Sequence, residues 1–221
     1  MHGRILAGAV AAGASAVLVG TLATPTALAA TPGQTDNRSG SARQLTLAPV
    51  GTYSTGVFDE SSAEIVAYYG GRVYTVNALA AAVDVIDVTN PAAPTKLYSI
   101  AGAGVANSVA IRGDGLGVIA LEAPVKTDPG SLVFFDARSA ASAPILGSVT
   151  VGSQPDMVTF SPDGTRVLSA NEGEPNDEYT VDPEGSVSVI AVPRGVAAPT
   201  QTDARTADFH AFETGGTKTL D

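Results

Sequence analysis

The sequence predicts an all-β fold: a β-propeller of four-stranded blades, with three and a fraction blades present and the ring incomplete. Two observations carry this. A segment recurs three times, as EIVAYYGG at 64–71, NSVAIRGDG at 107–115 and DMVTFSPDG at 156–164. Each copy is followed by two further apolar runs, VYTVN, VIALE and VLSAN and then VDVIDV, LVFFDA and VSVIAV. Ala67, Ala110 and Thr159 lie 43 and 49 residues apart, and Asn77, Glu122 and Asn171 lie 45 and 49 apart. A period of roughly 40–50 residues with several short strands per unit marks propeller blades. One such sheet cannot bury both its faces, so it stacks against neighbours.

Residues 1–30 read as a secretory signal peptide. Arg4 gives a positive start, an apolar run of small residues follows, and Ala27-Leu28-Ala29 suits cleavage near Ala29/Ala30. A membrane-spanning helix fits less well, because Gly, Ala and Thr dilute the run and no basic cluster follows it. The expected location is secreted or at the cell surface, with no membrane insertion of the mature chain. Residues 31–44, polar and unpatterned, read as a flexible linker. The propeller domain is expected over 45–221.

Within it, LTLAPVGTY at 45–53 alternates like an outer strand that would close a ring. Blade one is expected over 63–104. ALAAAV at 78–83 favours helix by propensity, but the repeat register makes it a hairpin turn. Asn90-Pro91-Ala92-Ala93-Pro94 is a turn into the outer strand TKLYSI. Blade two is expected over 105–152, with ILGSVTVG as its outer strand, and blade three over 154–206, with a tight turn at Ser161-Pro162-Asp163-Gly164. TADFHAF at 206–212 resembles the first strand of a fourth blade. Closure needs about four to eight blades. The expectation is therefore the N-terminal part of a longer protein; a ring completed with another copy is the other way to close it.

Composition excludes several chemistries. The chain has no cysteine, which removes disulfides, thiolate catalysis and Cys-based metal sites. Its formal net charge is −10, and −11 once Arg4 leaves with the signal. That argues against nucleic acid as a partner. His210 alone remains of two histidines, so a three-histidine zinc site is excluded; it reads as a packed strand residue. There is no G-x-S-x-G elbow or Walker loop, and Gly113-x-Gly115-x-Gly117 fails the dinucleotide pattern.

The candidate chemistry lies in the loop 171–185. Six of its 15 residues are carboxylates: Glu172, Glu174, Asp177, Glu178, Asp182 and Glu184. Glu172, Glu174, Asp177 and Asp182 are the candidate ligands for a hard cation, calcium being the cofactor they suit. The spacing is not that of an EF-hand, and a solvated acidic loop is the plainer reading. Asn77, Glu122 and Asn171 occupy one register and are the candidate ligand-binding residues of a channel face. Asn107 and Asp156, at the openings of first strands, share another register, as channel residues or local caps. Lys126 is a candidate partner for a carboxylate or an anionic ligand.

These residues also carry a resemblance. VGTYSTGVFDESSAEIVAYYGGRVYTVN at 50–77, VDVIDVTNPAAPTKL at 83–97, ANSVAI at 106–111, KTDPGSLVFFD at 126–136 and PDMVTFSPDGTRVLSANEGEPNDEYTVDPEGSVSVI at 155–190 resemble the choice-of-anchor I family. SPDGTRVLSAN also resembles the widespread YVTN repeat of bacterial propellers. The resemblance implies an exported propeller, typically longer than this chain. It transfers no catalytic residue, though some relatives carry phosphatase-like labels. Two functional readings follow. The first is a surface or extracellular module that binds a protein, glycan or small ligand. The second is part of a calcium-type, metal-dependent hydrolase, phosphatase-like in its chemistry.

Overall fold

Alternation of apolar residues with period two, punctuated by Gly and Pro turns, produces twelve strands among the described residues. The computed structural model describes residues 46–58 and 63–218. The chain divides at Thr46/Leu47; everything below belongs to the unit Leu47–Asp221. The expected signal peptide and linker lie outside the described residues.

Blade one is β1 (Val66–Tyr69), β2 (Arg72–Asn77), β3 (Ala82–Asp87) and β4 (Thr95–Ala101). Blade two is β5 (Val105–Ile111), β6 (Leu116–Glu122), β7 (Pro129–Asp136) and β8 (Ile145–Ser153). Blade three is β9 (Pro155–Phe160), β10 (Arg166–Asn171), β11 (Ser186–Ala191) and β12 (Ala204–Ala207). Each blade is a four-stranded sheet in sequence order with every pair antiparallel. First strands meet, β1 against β5 and β5 against β9. This is the propeller arrangement, with first strands innermost.

Two apolar cores glue the blades together. Between blades one and two, Tyr74, Val76, Val83 and Val85 meet Val109, Ile119, Leu121 and Phe135. Between blades two and three, Leu116, Val118, Leu132 and Phe134 meet Val158, Val167 and Ile190. Blade two is thus apolar on both faces, and β6 is buried without alternation from Leu116 to Leu121 for that reason.

The seams also carry an arginine clasp. Arg72, 6% exposed, donates from Nη2 to Ala137 O (2.8 Å) and Arg138 O (3.4 Å) and from Nη1 to Ser139 O. These carbonyls belong to the β7–β8 turn of the next blade. At the following seam Arg112 does the same from the end of β5. It donates to Gly164 O (2.9 Å), Pro193 O (3.1 Å) and Gly195 O (2.6 Å), with Asp114 paired at 2.8 Å.

Three expectations are corrected. Of the expected strand at 45–53, residues 47–53 form no strand. The segment lies against the turn of blade one, where a Cβ on Gly51 would run into the Pro91 carbonyl. TADFHAF opens no new blade. Its first two residues end β12, which pairs with β11 as the fourth strand of blade three, and a 3-10 turn follows at His210–Phe212. His210 is therefore exposed rather than a packed strand residue. The third correction concerns register. Arg72↔Asp87, Leu116↔Asp136 and Arg166↔Ala191 are equivalent pairs. Counting from them places Leu121, not Glu122, in register with Asn77 and Asn171. The run LGVIAL can be read in either register, but only this one puts Leu116, Val118 and Ala120 together on the face packed against blade three.

The expected turn at 78–81 is present, with Ala81 at φ 49° before β3 begins.

Candidate functional site: the polar rim where the inner strands begin

In an antiparallel meander the β2–β3 and β4–β5 connections lie at the end where the inner strand starts. The corresponding end of blades two and three gathers Asn107, Glu122, Lys126, Gln154, Asp156 and the loop after Asn171. Asn107 and Asp156 share a backbone device as well as a register. Each is the extra residue of a β-bulge, between Ala106 and Ser108 in β5 and between Pro155 and Met157 in β9. A bulge re-aims the side chain that it carries. Asn107 Nδ2 consequently donates to Glu122 Oε2 (3.5 Å) and to Pro155 O of the next blade (3.3 Å). Glu64 stands at the equivalent position before β1, a rim residue that sequence reading passed over.

The expected channel residues Asn77 and Asn171 are 8% and 3% exposed. Asn171 donates to Ser186 Oγ and Ser188 Oγ and accepts from Ser169 Oγ, each at 3.0 Å. Asn77 donates to Asp84 (3.1 Å) and accepts from the Ala80 amide (3.1 Å), closing the β2–β3 turn. The hydrogen bonds of both are thus made inside their own blades. Burial pushes the Asp84 carboxyl up, but hydrogen bonds from Lys96, Ser99 and Asn77 outweigh it and leave it below the usual aspartate range.

The acidic loop is held at several points. Gln154, 5% exposed and at φ 50°, accepts the Glu174 amide with Oε1 and donates to the Glu174 carboxylate (3.2 Å) with Nε2. Its carbonyl accepts the Glu172 amide (2.9 Å). Lys126, from the blade-two loop, reaches Glu174 at 3.4 Å. Gly173, at φ 66°, packs so closely on Glu184 that a Cβ would meet its carbonyl at 2.6 Å. Asn176 then knits the tip, its Oδ1 accepting the amides of Thr180 (2.8 Å) and Val181 (3.1 Å). Tyr179 crowns this tip, 80% exposed and at φ 55°.

The four candidate cation ligands are spread out by this folding. Glu172 faces Asp156, Glu174 and Glu122, and burial together with these like charges raises its carboxyl above the ordinary glutamate range. Hydrogen bonds from Gln154 and Lys126 hold Glu174 below that range. Asp177 lines a 330 Å³ cleft with Lys126, Glu174 and Tyr179. Asp182 lines a separate 340 Å³ cleft with Glu184, His210 and Glu213. Among the described residues, no group of three histidine, aspartate or glutamate side chains is placed to hold a metal ion.

Glu172→Gln is expected to stabilise the fold at neutral pH. The raised carboxyl makes the ionised form unfavourable in the folded chain, so the advantage shrinks as pH falls through that raised value. Urea midpoints for the two proteins at pH 7 and pH 4 check this. His210 adds a second titrating tie, with Nε2 2.8 Å from Glu184 and Nδ1 3.5 Å from Asp208. The hydrogen bond and charge of Glu184, then Asp208 and Glu213, raise its pKa. The tie is complete below the unfolded histidine value of about 6.5 and is lost as pH rises through the raised value. In an NMR titration the His210 ring should titrate above 6.5, and Glu184→Gln should bring it back.

The family model of the choice-of-anchor I domain matches residues 64–220. The chain belongs to the choice-of-anchor I family. This choice-of-anchor I domain places the chain among extracellular or surface β-propeller proteins. No helix among the described residues is long and apolar enough to cross a membrane. No curated protein matches the sequence. Among solved structures it is similar to the hydrazine synthase of Kuenenia stuttgartiensis (19% identity, TM-score 0.45, 63% of this chain and 39% of that one). It is also similar to a 6-phosphogluconolactonase-like protein of Bacteroides fragilis (11%, 0.48, 67% and 42%). A protein of unknown function from Desulfotomaculum acetoxidans is a third (10%, 0.45, 66% and 46%). The chain spans less than half the length of each, and likenesses this distant bear on nothing further.

Proposed function

We propose that this choice-of-anchor I protein is exported and acts as a binding module at the cell surface or outside the cell, using the polar rim as its binding face. The carrying observation is the loop after Asn171. Gln154 pins its start, Asn176 knits its tip, and the result holds Tyr179 out in solvent beside the cleft of Lys126, Glu174 and Asp177. An exposed tyrosine on a pre-organised loop offers contact area at low entropy cost. The ligand classes that fit are a protein, a glycan or a small molecule with both an apolar face and polar groups.

The test is a glycan and peptide array probed with the native chain and with Tyr179→Ser and Lys126→Ala. Binding that falls about tenfold or more in Tyr179→Ser supports the rim as the binding face. Binding that ignores both substitutions removes it. Calorimetric titration with calcium addresses the hydrolase reading. Uptake that disappears in Asp177→Asn/Asp182→Asn would turn the argument toward metal-dependent chemistry.

A further inference from the structure

At the end of the blades away from the rim, three turns meet across the seam between blades two and three. They are the β5–β6, β9–β10 and β11–β12 turns, and they border a 460 Å³ cleft. Arg112 joins its walls, because the clasp on the carbonyls of Gly164, Pro193 and Gly195 ties the first turn to the other two. The cleft thus belongs to a seam that is complete within the chain. Its space is open. A Cβ on Gly113 or on Gly195 would meet no atom within 4 Å. At the seam between blades one and two, register puts Tyr69 in the place of Arg112. There the space over Gly115 is taken, and a Cβ would meet Arg138 Cγ at 2.6 Å and the Tyr69 hydroxyl at 2.9 Å.

Charge decides what can enter. Two arginines at these turns already hold a carboxylate in both arms of the fork. Arg112 pairs with Asp114 through Nε (2.9 Å) and Nη2 (2.8 Å), and Arg138 pairs with Asp136 through Nε (2.9 Å) and Nη2 (2.6 Å). Blade three breaks the pattern, since Ala191 occupies the place of Asp136. Arg194, which lines the cleft, is exposed and makes no hydrogen bond or ion pair among the described residues. The other charge in the cleft without a counter-ion is Asp163. Ser161 Oγ (2.6 Å), then the Thr165 amide (3.1 Å) and hydroxyl (2.9 Å), donate to its carboxylate and hold its pKa at about 2. It is therefore ionised at neutral pH. One free cation and one free anion on the same cleft suit a ligand that carries one of each.

We propose that this cleft binds a zwitterionic amino acid with an apolar side chain. Its carboxylate sits on Arg194, its ammonium on Asp163, and its side chain against Pro162, Val192 and Pro193. The planar fork of an arginine matches a carboxylate, and both contacts are of the strong, charge-assisted kind. A dianion such as phosphate fits less well, because Asp114 and Asp163 stand in the same cleft. Apolar walls with a few placed polar groups are the usual form of a small-molecule site. This site is separate from the rim, which lies at the opposite end of the blades.

An NMR titration of the native chain with L-leucine, N-acetyl-L-leucine and L-leucinamide tests it. Leucine should bind with a Kd of about 1 mM or tighter. Each derivative lacks one charge and should bind about tenfold or more weakly. Arg194→Met and Asp163→Asn should weaken leucine by a similar factor, and Gly113→Phe, which puts a ring into the open space, should abolish its binding. All three positions are exposed, so far-UV circular dichroism should be unchanged. Tyr179→Ser should leave leucine binding as it is, which separates this test from that of the rim. No leucine binding by the folded native chain, equal binding of the three compounds, or binding that survives both Arg194→Met and Gly113→Phe overturns the proposal.

Discussion

Phe135→Ala is expected to destabilise the chain by about 3–5 kcal/mol, the range for deleting a large aromatic side chain from a packed core. The ring is fully buried on the face of blade two that meets blade one, and it stacks on Tyr74 with centroids 5.7 Å apart and planes 30° from parallel. Its room is made by Gly117, directly opposite in the ladder, where a Cβ would collide with the ring itself. Gly117→Ala should therefore destabilise by about 1–3 kcal/mol through overpacking. The two effects share one space, so Gly117→Ala should cost much less in the Phe135→Ala background than in the native one. Urea denaturation of the two single variants and the double variant measures this. Strict additivity, or a loss under about 1 kcal/mol for Phe135→Ala, would show that the seam does not depend on this ring.

The repeat made most of this architecture legible. Each blade repeats its first and second strands at fixed positions, so Ala67, Ala110 and Thr159 fall in one register, 43 and 49 residues apart. The shared register of Asn107 and Asp156 was legible for the same reason, but the bulge was not, because it is set by how two strands pair rather than by one strand's pattern. Glu122 was misplaced by one residue because the run around it is apolar on both faces and has no alternation to fix its phase. Gln154 left no signal at all. It is a single amide between Ser153 and Pro155, and its importance comes from a left-handed backbone and from a loop twenty residues away. The acidic loop was visible as composition, but composition does not say that Asp177 and Asp182 line different clefts.

Arg72→Met is expected to cost about 2–4 kcal/mol, since hydrogen bonds to a charged group are worth about 1.5–3 kcal/mol and three to this guanidinium are removed. Methionine keeps most of the packing of the arginine stem and removes only the fork. The carbonyls of Ala137 and Ser139 would keep a tyrosine hydroxyl each, from Tyr74 (3.1 Å) and Tyr98 (3.4 Å), so the seam should weaken without coming apart. Arg72→Lys should recover only part of the loss. An ammonium group cannot span carbonyls of three successive residues as a planar guanidinium does. The damage should also be local. Arg72 closes the seam between blades one and two, whereas Arg112 closes the seam between blades two and three. In hydrogen exchange, Arg72→Met should speed opening of β1 to β4 and leave β9 to β11 near native rates, while Arg112→Met should do the reverse. Equal acceleration of all three blades by either change would mean that the unit opens as a whole, and that the arginines hold turns rather than seams.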